Sequence, residues 1–269
     1  MKVGFIGGGN MATALIGGMI RAGFPAADIA VLEPKEKRRE ELAAGLGVLT
    51  HACAGAWVSE VALLVLAVKP QQMHEAVAAC AGFARSTPLL SVAAGVRARD
   101  IARWVGHEQV IRAMPNTPAL IGAGITGVAA LAAVPDPSKE LARRVLEAAG
   151  EVVWFDDEAQ LDAVTAVSGS GPAYVFLFIE ALEAAAIARG LPPDEARHLA
   201  IGTVTGAAQL AAQSHDSPAV LRERVTSKGG TTAAALAVME EAGLREIICR
   251  AVAAADRRAT ELGDEFGAA

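Results

Sequence analysis

The chain has 269 residues, a length that accommodates one or two domains, and 53% of them are hydrophobic, with 27 Gly and only 4% aromatics. That balance excludes intrinsic disorder, which requires few apolar residues and high charge. A net charge of −6 argues against nucleic acid as the partner.

The first half alternates short apolar runs with helical stretches. Residues 3–6 read as a strand, 11–22 as a helix and 29–33 as a second strand. A charged helix over 35–44 and a fully buried strand over 62–68 follow. Residues 71–80 are helical, 89–93 a strand, 98–105 a helix and 110–113 another strand. Continuous apolar strands separated by crossover helices predict a parallel sheet covered on both faces. A helix over 138–149 and a short strand over 151–155 finish this region. Beyond about residue 155 the strands stop. Residues 174–188 form an apolar helix that ends at Gly190, with Pro192 and Pro193 beyond. Helices are also predicted over 195–213, 220–225, 231–242 and 244–262. Helices apolar on several faces must be buried, and packing against a second copy of the chain is the economical way to do it.

The expected architecture is therefore α/β. A Rossmann-type parallel-sheet domain over 1–158 is followed by an all-helical dimerisation domain over 159–269. Charge divides the same way: residues 1–155 carry 15 basic and 13 acidic side chains, and 156–269 carry 9 and 17. The first domain is thus friendlier to an anionic ligand. The longest charge-free stretch, 113–135, is broken by Pro115 and Pro118, so it is no spanning helix, and residues 3–6 are too short for a secretory segment. A soluble, cytoplasmic protein without membrane contact is expected. Cys53, Cys80 and Cys249 form no pair or cluster, and the five histidines form no metal set, so reduced, buried thiols and no metal are expected.

Chemistry concentrates in a few segments. Gly7, Gly8 and Gly9, with Asn10, Met11 and Ala12, match G-x-G-x-x-G/A between a strand and a helix. Such a loop brings backbone N–H groups and a helix N-terminus to a pyrophosphate; the alternative is a glycine-rich turn with no ligand. Glu33 ends the next strand, where an acid would bind a ribose 2′-hydroxyl, yet Lys35, Lys37, Arg38 and Arg39 follow and could neutralise a 2′-phosphate. The two signals conflict, and a solvated charged helix start explains Arg38 and Arg39 as well. Ala67, Val68, Lys69 and Pro70 close the third predicted strand and Ala93, Ala94 and Gly95 the fourth, all at the sheet end where ligands bind. Asn116 lies in the proline-fixed loop 112–118, which reads equally as a rigid structural turn. In the second half, Gly/Ser/Thr clusters at 165–172 and 227–232 interrupt helices. Exposed N–H groups and hydroxyls at a helix start suit a carboxylate-sized anion, and ordinary N-capping is the alternative.

The segments GFIGGGNMA, LAVKPQ, SVAAG, RAMPNTP, SGSGPAY and PAVLRERVTSKGGTT, in that order over the whole chain, resemble pyrroline-5-carboxylate reductases. The resemblance implies NAD(P)H-dependent reduction of 1-pyrroline-5-carboxylate to L-proline. It also implies self-association through the C-terminal helices as a dimer, often assembled into a decamer. Carried over, Gly7–Gly9, Asn10 and Met11 hold the pyrophosphate, and Glu33 and Lys35 sit at the 2′ position. Ala67, Lys69 and Ala94 line the cofactor path. Thr165 stands near the imine, and Ser227, Gly229, Gly230, Thr231 and Thr232 form the carboxylate site, with Thr165 and Thr232 closest to the chemistry. Many members carry Pro where Lys228 stands, and Ser, Thr or Asn where Glu33 stands. Two other readings share the first domain. A β-hydroxyacid dehydrogenase needs a Lys, and an Asn four residues on, in the interdomain helix, and residues 174–188 contain neither. A non-catalytic dinucleotide-sensing regulator leaves both second-half clusters unexplained.

Overall fold

A computed structural model of the chain describes residues 1–267. Its first part runs β1 (Val3–Ile6), α1 (Asn10–Arg21), β2 (Ile29–Leu32), α2 (Glu36–Leu46), β3 (Leu49–His51), β4 (Leu63–Leu66) and α3 (Met73–Ala81). It continues through β5 (Leu89–Ser91), α4 (Ala98–Val105), β6 (Val110–Met114), β7 (Gly124–Ala130), α5 (Asp136–Glu147) and β8 (Gly150–Trp154). The strands form one sheet in the order β3-β2-β1-β4-β5-β6-β7-β8. Neighbours pair in parallel except β6 and β7.

Two strands, β3 and β7, lie where the sequence predicts no element. In β7, Gly124, Gly127 and two alanines dilute the β-branched signal that marks a strand. A 3-10 turn over Thr117–Ile121, closed by Gly122 in the left-handed conformation, reverses the chain, and so β7 pairs antiparallel. β3 has only three residues and sits at the sheet edge.

The continuous apolar strands are explained by cover on both faces. Val3, Phe5, Leu63 and Val65 pack against Leu15, Ile16 and Met19 of α1 and Leu141 and Val145 of α5. The alternate residues Ile6, Leu64 and Leu66 pack against Met73 and Val77 of α3 and Ile101 and Val105 of α4. Each fully buried side chain of this size contributes about 1.5–3 kcal/mol, which holds the strand ends, and the loops leaving them, in fixed places.

The rest is helical: α6 (Gln160–Val164), one π turn (Thr165–Gly169), α7 (Gly171–Ala188), α8 (Pro193–Gln213), α9 (Pro218–Arg224), α10 (Thr231–Glu241) and α11 (Leu244–Gly267). By packing, the chain divides into Met1–Ser170 with the chain from Ala254 onward, and Gly171–Ala253. Strands end near the sequence-predicted boundary at 158/159, but the sheet unit continues through α6 and the π turn. It also holds the end of α11, through Thr260 Oγ1 donating to Asp162 Oδ2 at 3.2 Å and Arg97 Nη2 to Asp264 Oδ1 at 2.9 Å.

Within the second unit, α7 and α8 leave large apolar side chains exposed, among them Phe176 at 65% and Leu177 at 66%. One helical run among the described residues, Gln160–Ala188, is long and apolar enough to cross a membrane by length and composition. Asp162, Glu180 and Glu183 interrupt it, so no charge-free stretch marks it in the sequence. The thiols also differ from expectation. Cys80 is buried, but Cys53, in the loop after β3, and Cys249, on α11, are exposed in the single chain.

Candidate active site

The loops at the carboxyl ends of β2, β1, β4, β5 and β6, adjacent in that order, carry Glu33, Gly7–Gly9, Ala67–Pro70, Ala93–Gly95 and Asn116. These sequence-predicted cofactor residues thus gather at the carboxyl end of the sheet, with Asn10 and Met11 opening α1 and Lys35 just before α2. Gly7 has φ +97°, a conformation L side chains avoid, and a Cβ there would stand 2.8 Å from Ala67 O. Its N–H donates to Leu32 O at 2.9 Å, which ties the loop to β2. Gly9 precedes α1 with no side-chain cap, and the first turn of α1 has no acidic residue. Its N–H groups and the positive end of its dipole therefore remain available, and nothing stands within 4 Å of where a Cβ on Gly9 would be. These features suit a pyrophosphate, and Gly7–Gly9, Asn10 and Met11 are the residues that would hold one.

Glu33 reaches from the end of β2 into this loop. Its Oε2 accepts from Gly8 N–H at 3.2 Å and its Oε1 from Lys35 N–H at 3.0 Å. Arg38 is not a solvated cation, as the sequence alone allows. Its Nε donates to Gly8 O at 2.8 Å, Nη2 to Thr13 Oγ1 at 2.7 Å and Nη1 to Glu41 at 2.9 Å. It braces the glycine loop from α2, a role no local pattern signals because the partners are 25 and 30 residues away. Arg39 likewise donates to the carbonyls of Glu33 and Pro34, at 2.9 and 2.7 Å. Lys35 and Lys69 are exposed.

Gly95, at φ +77°, is covered by Leu262 and Phe266 of α11, 3.2 and 3.3 Å from where a Cβ would be. Asn116 is buried. Its Oδ1 accepts from Ile125 N–H at 3.0 Å and its Nδ2 donates to Ser168 O at 3.2 Å. Ser168 belongs to the π turn, closed by Ser170 N–H donating to Thr165 O at 2.8 Å. Single π turns inside helical runs occur frequently at functional sites. The Thr165 hydroxyl is half-buried and donates to Leu161 O at 2.7 Å.

In the second unit, the loop after α9 holds Ser227–Gly230, and Thr231 and Thr232 open α10. Gly229 has φ +70°, and Gly230 N–H donates to Ser227 O at 3.1 Å. Gly230 is the N-cap of α10 and no side chain caps the helix. Ordinary N-capping therefore does not account for the hydroxyls of this cluster.

A mostly parallel sheet with a glycine loop in its first crossover, joined to an all-helical region, defines a Rossmann-type dinucleotide-binding protein with an appended helical part. A family model for pyrroline-5-carboxylate reductase dimerisation matches residues 158–262, and one for coenzyme F420-dependent NADP oxidoreductases matches residues 2–95. The pyrroline-5-carboxylate reductase of Pseudomonas aeruginosa is 41% identical, over 99% of this chain and 98% of its own. The solved structure of the Coxiella burnetii pyrroline-5-carboxylate reductase superposes with a TM-score of 0.93 at 38% identity, over 97% of this chain and 98% of that one. That of Plasmodium falciparum pyrroline carboxylate reductase, with NADP bound, gives 0.85 at 27% identity over 98% of each chain. The chain belongs to the pyrroline-5-carboxylate reductase family.

Proposed function

We propose that this chain reduces 1-pyrroline-5-carboxylate to L-proline, with a reduced nicotinamide dinucleotide as hydride donor. The observation that carries the reading is full-length identity with the reductase of Pseudomonas aeruginosa at 41%, in a chain that keeps an uncapped, open glycine loop. The bound dinucleotide supplies the hydride to the C=N carbon. A cyclic imine that has taken up a proton is already an electrophile, so what remains for the protein is orientation.

The Ser227–Thr232 loop serves as the clamp for the substrate carboxylate, through the free N–H groups and hydroxyls at the start of α10. Thr165 meets the imine nitrogen. Because its hydroxyl proton already points at Leu161 O, the group it offers a ligand is an oxygen lone pair. That supports acceptance of a hydrogen bond from a protonated imine over delivery of a proton to a neutral one. Thr232→Ala raises KM for the imine far more than KM for the dinucleotide; an unchanged imine KM removes Thr232 from the site.

For the dinucleotide, the Glu33 carboxylate beside the glycine loop supports NADH over NADPH, since a 2′-phosphate would face it. Both nearby guanidiniums are engaged with protein oxygens. The helical segment matched by the dimerisation family, with its exposed apolar side chains, supports a dimer, and a decamer would be an assembly of such dimers.

One experiment tests the activity: following dinucleotide absorbance with 1-pyrroline-5-carboxylate, using NADH and NADPH in parallel. The expected result is oxidation with the imine, faster with NADH. Oxidation with a β-keto acid but not the imine would move the chain to the hydroxyacid dehydrogenases, and no turnover at all would leave a regulator.

A further inference from the structure

β6 and the loop that leaves it carry Arg112, Met114 and Asn116 at alternate positions, and alternate positions of an extended chain share a face. All three meet one segment of the chain. Arg112 Nη1 lies 3.1 Å from Glu158 Oε1, and Nη2 lies 3.3 Å from Asp162 Oδ1. Met114 packs on Gly169, where a Cβ would come within 2.5 Å of its Cε. Asn116 donates to Ser168 O at 3.2 Å. The strip therefore grips residues 158–162 at one end and 168–169 at the other. The second grip is the end of the π turn, and Thr165, which begins that turn, lies between the two.

Arg112 is only 2% exposed. A buried cation must be paired, and both carboxylates are themselves held from a second side. Glu158 Oε1 also accepts from Ala98 N–H at 2.7 Å, and Asp162 Oδ2 accepts from Thr260 Oγ1 at 3.2 Å. Replacing such a buried ionic cluster with packed apolar side chains often leaves stability equal or higher, so stability alone is weak grounds for an arginine here. A planar guanidinium between two carboxylates fixes direction, which apolar contacts do not.

We propose that Arg112 is a positioning residue for the reaction. Through Glu158 and Asp162 it sets the turn that enters the π turn, and so the place of the Thr165 hydroxyl. This rests on the reading of Thr165 as the partner of the imine nitrogen.

The test is a double-mutant cycle of Arg112→Lys and Thr165→Val, reading kcat and imine KM at saturating dinucleotide, dinucleotide Kd by titration, and Tm. Lysine keeps the charge but cannot span both carboxylates. Arg112→Lys is expected to lower kcat/KM for the imine by up to about a hundred-fold, the scale of a displacement of about 1 Å at a reacting group. Dinucleotide Kd stays within about twofold, and in the Thr165→Val background the same change costs less than about threefold. If Arg112→Lys does not accumulate as folded protein, Glu158→Gln carries the same cycle, since its amide oxygen still accepts from Ala98 while the loss of the carboxylate charge weakens the pairing with Arg112. A full loss that persists without Thr165, or that tracks dinucleotide affinity, overturns the proposal. Normal turnover by Thr165→Val overturns both the proposal and the reading of Thr165 beneath it.

Discussion

At the scale of single residues, the three thiols have separate fates. Burial pushes the Cys80 thiol up from 9.0 to about 11, while Cys53 is exposed. A raised native pKa means that folding favours the protonated thiol. Its contribution to stability is complete below pH 9.0 and is lost as pH climbs toward about 11. At pH 8, then, an alkylating reagent modifies Cys53 and spares Cys80, and thermal stability declines between pH 9 and 11; replacing Cys80 by Ala flattens that decline. Equal labelling of both thiols at pH 8 contradicts the burial. Glu33 gives a second residue-scale prediction. Glu33→Ser removes the carboxylate beside the glycine loop and frees Gly8 N–H, so with the dinucleotide bound as proposed kcat/KM shifts toward NADPH by about tenfold or more, the scale of a charged hydrogen bond. No shift in the ratio separates Glu33 from dinucleotide choice. The position of Glu33 at a strand end was readable from chain order. The engagement of Arg38 with Gly8 O and Thr13 was not, because it depends on how α2 lies beside the loop.

Among the elements, the helices and buried strands were legible because their signals are local. The pattern over 98–105 predicts a helix and α4 is Ala98–Val105; the apolar run at 62–68 holds β4. What stayed hidden was set by pairing and packing. β7 is a strand because β6 and β8 flank it, not because Gly124–Ala130 favours extension. The π turn at Thr165–Gly169 reads as a Ser/Gly-rich interruption, and only the strip of β6 shows what holds it. The candidate site follows the same division. Its glycine loop and strand ends were visible in the sequence, whereas Arg112 and Glu158, 46 residues apart, had no signal that joined them.

For the whole molecule, the aliphatic surplus of the composition has two destinations. One is the double-faced core of the sheet. The other is the surface of the second unit, where Phe176, Leu177 and Leu210 are more than half exposed. A patch of this kind marks an interface, and the dimerisation family covers it. Light scattering is expected to give a mass of at least two 27.5 kDa chains, with Phe176→Glu/Leu177→Glu shifting the protein toward monomer. A wild-type chain that stays monomeric at micromolar concentration contradicts that burial.

Hydride transfer to a cyclic imine leaves an isotopic trace. NADH doubly deuterated at C4 of the nicotinamide is incubated with 1-pyrroline-5-carboxylate and the enzyme, and the product is analysed by mass spectrometry. L-proline carrying one deuterium at C5, formed in step with dinucleotide oxidation, is the expected result. Dinucleotide oxidation without labelled proline, or no oxidation with either dinucleotide, would contradict it.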